Sequence, residues 1–182
     1  QLFKSEHFFD EANINILIKD PVQYFISFIR EGSLFYDDVV LEAIDALSAT
    51  LGQQLFNPID VAGWKGDRDW VKNTTMTGRW QFLEFYIFYL FENRPEELVN
   101  LAKRLSDNSS DPDFISQTLV DHFISSGLQT GEAYDRALSV FKWEVPENYY
   151  ESGDWNLEWE YVHAQVGLLL RHIGRQPEFQ LT

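Results

Sequence analysis

Two tryptophans six residues apart, Trp64 and Trp70, bracket Lys65, Asp67, Arg68 and Asp69 in the stretch Leu55–Trp70, LFNPIDVAGWKGDRDW. Indole faces and charged heads at such close spacing could bind the flat face of a sugar or a peptide and orient it through polar contacts. The stretch packs two tryptophans, two glycines, one proline, three aspartates and two basic residues into sixteen positions, none at helical or strand spacing. Ordered irregular backbone is where binding residues concentrate, and connections beyond about 12–15 residues are commonly functional. The bland outcome is an Ω-loop that plugs a gap, with its tryptophans folded inward and its charges paired locally.

A second irregular stretch, Trp143–Gly153, also carries aromatics, and Trp155 follows it. Residues 56–80 hold Lys65, Arg68, Lys72 and Arg79 against Asp60, Asp67 and Asp69, a local balance of +1. Residues 143–160 hold Glu144, Glu147, Glu151, Asp154, Glu158 and Glu160 with no base, a local −6. Opposite charge on two irregular, Trp-bearing segments predicts that they dock and form a cleft lined by Trp64, Trp70, Trp143 and Trp155. Arg79 lies in a ring-rich run beside Trp80, a poor place for an unpaired guanidinium. It is expected to tie its helix to the loop by pairing Asp60, Asp67 or Asp69, or by capping loop carbonyls. The candidate ligand-binding set is therefore Trp64, Trp70, Arg68, Arg79, Trp143 and Trp155, facing a partner protein or a neutral glycan.

Catalytic signatures are sparse. There is no GxSxG, no phosphate-cradling glycine loop and no Cys/His pair. Asp67, Asp69, Glu158 and Glu160 supply carboxylate pairs of the type that glycoside hydrolysis uses, which keeps an enzyme acting on glycans or cell-surface polymers as the alternative. His7, His122, His163 and His172 show no metal-ligand spacing, so neither metal nor cofactor is expected. Asp107–Asp111 begins like a calcium loop but places Pro112 at the sixth position and Thr118 at the twelfth. A linker ending in a helix cap accounts for it better.

A formal net charge of −15 on 182 residues argues against nucleic acid and against an anionic membrane surface. The longest apolar run, Phe82–Phe91, has ten residues and includes Glu84, too short for the roughly 18–20 residues of a membrane span. With no cysteine there is neither a disulfide framework nor a thiolate nucleophile.

The elements that must position these residues read as helices throughout. Asp20–Pro21 starts one that closes at Gly32, and Asp37–Asp38 opens a second with Val40, Ile44, Leu47 and Leu51 in one stripe. Thr77 to Asn93 is apolar nearly all round, the mark of a helix surrounded by others. Pro95 starts a fourth, Asp111–Pro112 a fifth and Thr130 a sixth, and a last helix is expected from near Asp154 to Gly174. The prediction is an all-α, irregular bundle of seven to eight helices with a long ordered Trp/Gly-rich loop, forming a single domain over residues 1–182. Because LFKSEHFFD reads like the tail of a helix already under way, the chain is expected to be the C-terminal portion of a longer polypeptide whose upstream part contacts it.

The run LGQQLFNPIDVAGWKGDRDW, followed by TMTGRWQF, resembles the signature of the bacterial domain of unknown function 1800 family. The matching positions are Gly52, Gln53, Leu55, Phe56, Pro58, Val61, Gly63, Trp64, Gly66, Trp70, Thr75 and Arg79; Ile59 and Asp67 depart from the pattern. The resemblance implies an exported, extracytoplasmic bacterial protein of uncharacterised role and supplies no catalytic residues. Taken with the residues themselves, it favours a non-enzymatic module that binds a partner protein or neutral glycan through its aromatic loop.

Overall fold

The computed structural model describes residues 16–182. His7 and the FKSEHFFD segment lie outside the described residues. Eight α-helices are found among those described: α1 Pro21–Gly32, α2 Asp38–Thr50, α3 Asn73–Asn93, α4 Pro95–Leu105, α5 Pro112–Phe123, α6 Gly131–Phe141, α7 Glu147–Glu151 and α8 Val162–Gly174. The fold is all-α, an irregular helical bundle, as the apolar periodicities predict.

Local chemistry sets most helix starts. The Asp20 carboxylate accepts from the Gln23 N–H while the Gln23 side chain accepts from the Asp20 N–H, a reciprocal cap on α1. Asp111 caps α5 by accepting from Asp113 N–H, the helix cap that the sequence predicts there. Thr130 caps α6. Proline occupies the first turn of α1, α4 and α5, where its missing N–H costs nothing.

The stretch Trp143–Gly153, expected to be irregular, contains the short helix α7, and two boundaries differ from expectation. α3 begins at Asn73, a turn before Thr77. The Thr75 hydroxyl nucleates this extra turn: it accepts from Lys72 N–H at 3.0 Å and donates to the Trp70 carbonyl at 2.6 Å. α8 begins at Val162 rather than near Asp154. Residues 154–161 are irregular and end in turns, because the Asn156 side chain takes up the Glu158 N–H and the Trp155 indole leaves the would-be helix face to pack edge-on against Phe141, 5.7 Å away.

α3 and α8 form the antiparallel centre of the bundle. Glu84 on α3 meets Arg171 of α8 and Arg175 just past its end, whereas Phe91 near the far end of α3 meets the His163 ring at 4.8 Å. Around them α1, α2, α4, α5 and α6 bury a continuous cluster that includes Tyr24, Phe25, Phe28, Phe82, Tyr86 and Phe179. Their rings meet mostly edge-on or tilted, at centroid separations such as 5.4 Å for Tyr24–Phe179 and 5.2 Å for Phe28–Phe123. Gly78 lets α2 approach α3: a Cβ there would stand 2.4 Å from a Leu51 methyl. No helix among the described residues is long and apolar enough to cross a membrane.

Candidate functional site

The long loop runs from the end of α2 to the start of α3 and divides into two chemically different halves. Its flanks are built inward. Gln53 is buried and accepts from the Val22 N–H at 2.9 Å, satisfying one orphan donor of α1. Trp70, only 5% exposed, closes a single 3-10 turn, Asp67–Trp70, with its side chain buried. Lys72 and Asp69 pair at 3.6 Å on the surface.

Between these flanks the chain turns outward. Asp60 bridges back to Gly63, whose φ of 95° suits glycine, and the Asp60 carboxylate accepts from Ala62 N–H at 2.8 Å. The Trp64 indole N–H donates to the Gln54 carbonyl at 3.1 Å, which pins the ring while leaving part of its face in solvent. Phe56 is 97% exposed and holds a φ of 60°, a conformation that bulky side chains rarely adopt. Ile59 and Val61 are exposed beside it in sequence. Two open cavities flank the buried Trp70. One of about 290 Å³ is lined by Gln23, Gln53, Trp64, Lys65, Trp70 and Thr182, and the other, of about 250 Å³, by Ile59, Lys65, Asp69 and Thr75 among others.

The structure separates the residues predicted to share a cleft. Trp64, Arg68 and Trp70 belong to the loop, at the N-terminal end of α3. Trp155 is 1% exposed at the opposite end of the bundle, where its N–H donates to Gln165 Oε1 at 3.0 Å. Trp143, 62% exposed, lies two residues beyond the end of α6, whose Phe141 packs on Trp155. The 21 residues of α3, about 30 Å of helix, separate the two segments, so the four-tryptophan cleft does not form. Charge complementarity says that two segments could attract; the antiparallel run of α3 against α8 decides that they do not meet. The carboxylate pairs split in the same way: Asp69 stands with Lys72, and Glu158 with Lys103 at 2.5 Å, at the other end.

Arg79 is also placed differently. It is fully buried, and its guanidinium donates to Gln180 Oε1 at 2.9 Å and to the Lys19 carbonyl at 2.5 Å, while lying 5.2 Å from the Tyr24 ring centroid. It therefore ties α3 to the segment before α1 and to the C-terminal tail, and among the described side chains its partners are not Asp60, Asp69 or a loop carbonyl; the Asp67 side chain lies outside the described residues. Burial pushes its pKa down, and the nearby Tyr24 and Asp20 oppose that shift. With Arg79 internal, the charges of Lys65, Arg68 and Lys72 are balanced by those of Asp60, Asp67 and Asp69, and the loop has no positive excess left.

A polar cavity of about 320 Å³ that sequence reasoning missed lies where α1, the end of α5 and the tail meet, lined by Lys19, Glu31, His122 and Glu178 among others. These residues are scattered along almost the whole described chain, and no local spacing links them. The Lys19 ammonium donates to the Phe179 carbonyl at 2.8 Å and sits 3.9 Å over the Phe179 ring. These contacts commit it to clasping the tail. Among the described residues no three His, Asp or Glu side chains group as a metal-ligand set.

A family model described as "Protein of unknown function (DUF1800)" matches residues 1–181. No curated protein and no solved structure matches the chain.

Proposed function

The chain belongs to this family of unknown function, and from its geometry we propose that it is a binding module that engages a partner protein through the outward half of the loop, Phe56 to Trp64. One observation carries the reading: Phe56 is almost wholly exposed on left-handed backbone, in a loop whose flanks are anchored by Gln53, Trp70 and Thr75. A conformation that costs on the order of 1–3 kcal/mol is maintained only where surrounding structure imposes it, and such sites cluster at ligand contacts. Here the cost presents an aromatic ring to solvent, with Ile59 and Val61 beside it in sequence. An apolar tip on a rigid base, edged by Lys65, Arg68 and Asp69, has the make-up of a protein contact with an apolar centre and a polar rim.

A protein fits this surface better than a neutral glycan. At this surface Trp70 is buried and Trp64 is only partly open, and the more exposed Trp143 stands at the far end of the bundle. The exposed tip is dominated by one phenyl ring and two aliphatic side chains, which offer no hydrogen-bond partners to a sugar's hydroxyls. An extracytoplasmic location belongs to the same proposal and rests on the resemblance of the loop signature to exported proteins.

The test is the migration of the full-length protein in native extracts of the cells that make it. The wild type should travel as a complex heavier than the purified protein, and a Phe56→Asn, Val61→Asn double variant should travel as the purified protein does. Equal migration of the two would defeat the proposal. Quenching of tryptophan fluorescence by neutral oligosaccharides would turn it toward glycans.

A further inference from the structure

We infer that the outer face of α3 and α8 is the interface of a two-fold symmetric dimer, in which α3 packs antiparallel against α3 of a second copy about Phe88. This inference is independent of the loop. α3 is apolar nearly all round, a pattern that belongs to a helix enclosed on every side. Yet Phe88 is 64% exposed, and Phe91 is exposed as well. Between the two helices runs a groove of about 300 Å³ whose walls are almost entirely apolar: Ile87, Phe88, Phe91, Ala164, Gly167 and Leu168. Gly167 contributes to its floor, with Ile87 3.1 Å from where a Cβ would stand.

Charge selects a second copy as the occupant. At one end of the groove Glu84 is shared by Arg171 and Arg175, which leaves one excess positive charge there. At the other end Glu92, exposed one turn beyond Phe88 on the same stripe, supplies a negative charge. Glu84 and Glu92 lie four residues to either side of Phe88. A two-fold axis through Phe88 therefore brings Glu92 of each copy opposite the Arg171–Arg175 end of the other. The two Phe88 rings meet on the axis, and each fills part of the facing groove. Self-complementarity of this kind is what an isologous contact requires. The face is built on two packed helices and so is already in shape for docking.

The chain has no cysteine, which makes the test clean. Sedimentation equilibrium of the purified protein should show a dimer at tens of micromolar, roughly the range of a modest helix-face contact. Phe88→Glu, a substitution at an exposed position, should yield a folded monomer by circular dichroism and sedimentation. Phe88→Cys, placed on the axis, should form a disulfide-linked dimer with oxidised glutathione at least about tenfold faster than Tyr36→Cys, a comparably exposed control on another surface. Glu92→Lys should weaken the dimer, most strongly at low salt. Two results would overturn the inference: a wild type that stays monomeric, or a dimer that survives Phe88→Glu while Phe88→Cys cross-links no faster than Tyr36→Cys. Either result leaves the loop reading untouched.

Discussion

Arg79 and Gln180 join distant parts of the chain: Arg79 Nη1 donates to Gln180 Oε1 at 2.9 Å across 101 residues, and Gln180 Nε2 in turn donates to the Gly174 carbonyl at 2.8 Å. The Tyr24 hydroxyl donates to the same carbonyl at 2.8 Å. Through this network α1, α3, the end of α8 and the tail close on one another. The isolated bridge between Ile18 and Leu181 continues the closure on the surface.

Removing the guanidinium leaves the Lys19 carbonyl and the Gln180 amide without their buried partner. Arg79→Met is expected to cost about 3 kcal/mol or more. Arg79→Lys should recover only part, since a single ammonium cannot reproduce two fixed, divergent donors. Urea denaturation of the two variants checks this. A midpoint for Arg79→Met within error of wild type would mean that the network contributes no stability.

Trp143 and Trp155, close in sequence, should behave oppositely. Trp155→Ala removes a buried indole and leaves Gln165 Oε1 without its donor, a loss of about 3–5 kcal/mol. Trp143→Ala alters a mostly exposed ring and should stay within about 0.5 kcal/mol of wild type. Thermal unfolding followed by circular dichroism distinguishes them, and equal losses would contradict the assignment of Trp155 to the core.

That contrast marks where the sequence is legible and where it is not. Helix starts are local events, so Asp20–Pro21, Asp111–Pro112 and Thr130 reveal them directly. Apolar stripes likewise reveal which faces turn inward. Whether a tryptophan on irregular backbone turns in or out depends on what it meets in space. Trp70 and Trp155 are buried while Trp143 is not, and nothing in their neighbouring residues separates them. The partners of Arg79 were hidden for the same reason: Lys19 and Gln180 are remote in sequence, and one of them contributes only a backbone carbonyl. The exposed tip was visible as a run of odd composition, but the left-handed backbone at Phe56 was not, because phenylalanine is a residue that such a conformation disfavours.

Lys19 provides a pH signature. Burial pushes its pKa down from 10.5 to about 8, with Glu31 opposing the shift and Arg79 adding to it. The unfolded chain thus binds more protons at this site between the two values, and stability rises with pH across that window. The neutral amine can still donate to the Phe179 carbonyl, so the clasp survives deprotonation. Tyr24 works the other way, its pKa raised by burial, but only above its unfolded value of 10.0. Between pH 8 and 10 the urea midpoint of wild type should therefore rise relative to that of Lys19→Met. Parallel pH profiles for the two proteins would show that Lys19 has an ordinary pKa.

The central claim, that the apolar tip of the loop is a protein-contact surface, is tested most directly by placing a photoreactive phenylalanine analogue at position 56 of the full-length protein in its own cells. Irradiation should give one discrete higher-mass adduct from position 56 and none when the analogue replaces Tyr36, an exposed aromatic on another surface. No adduct at position 56, or the same adducts from both positions, would contradict the account.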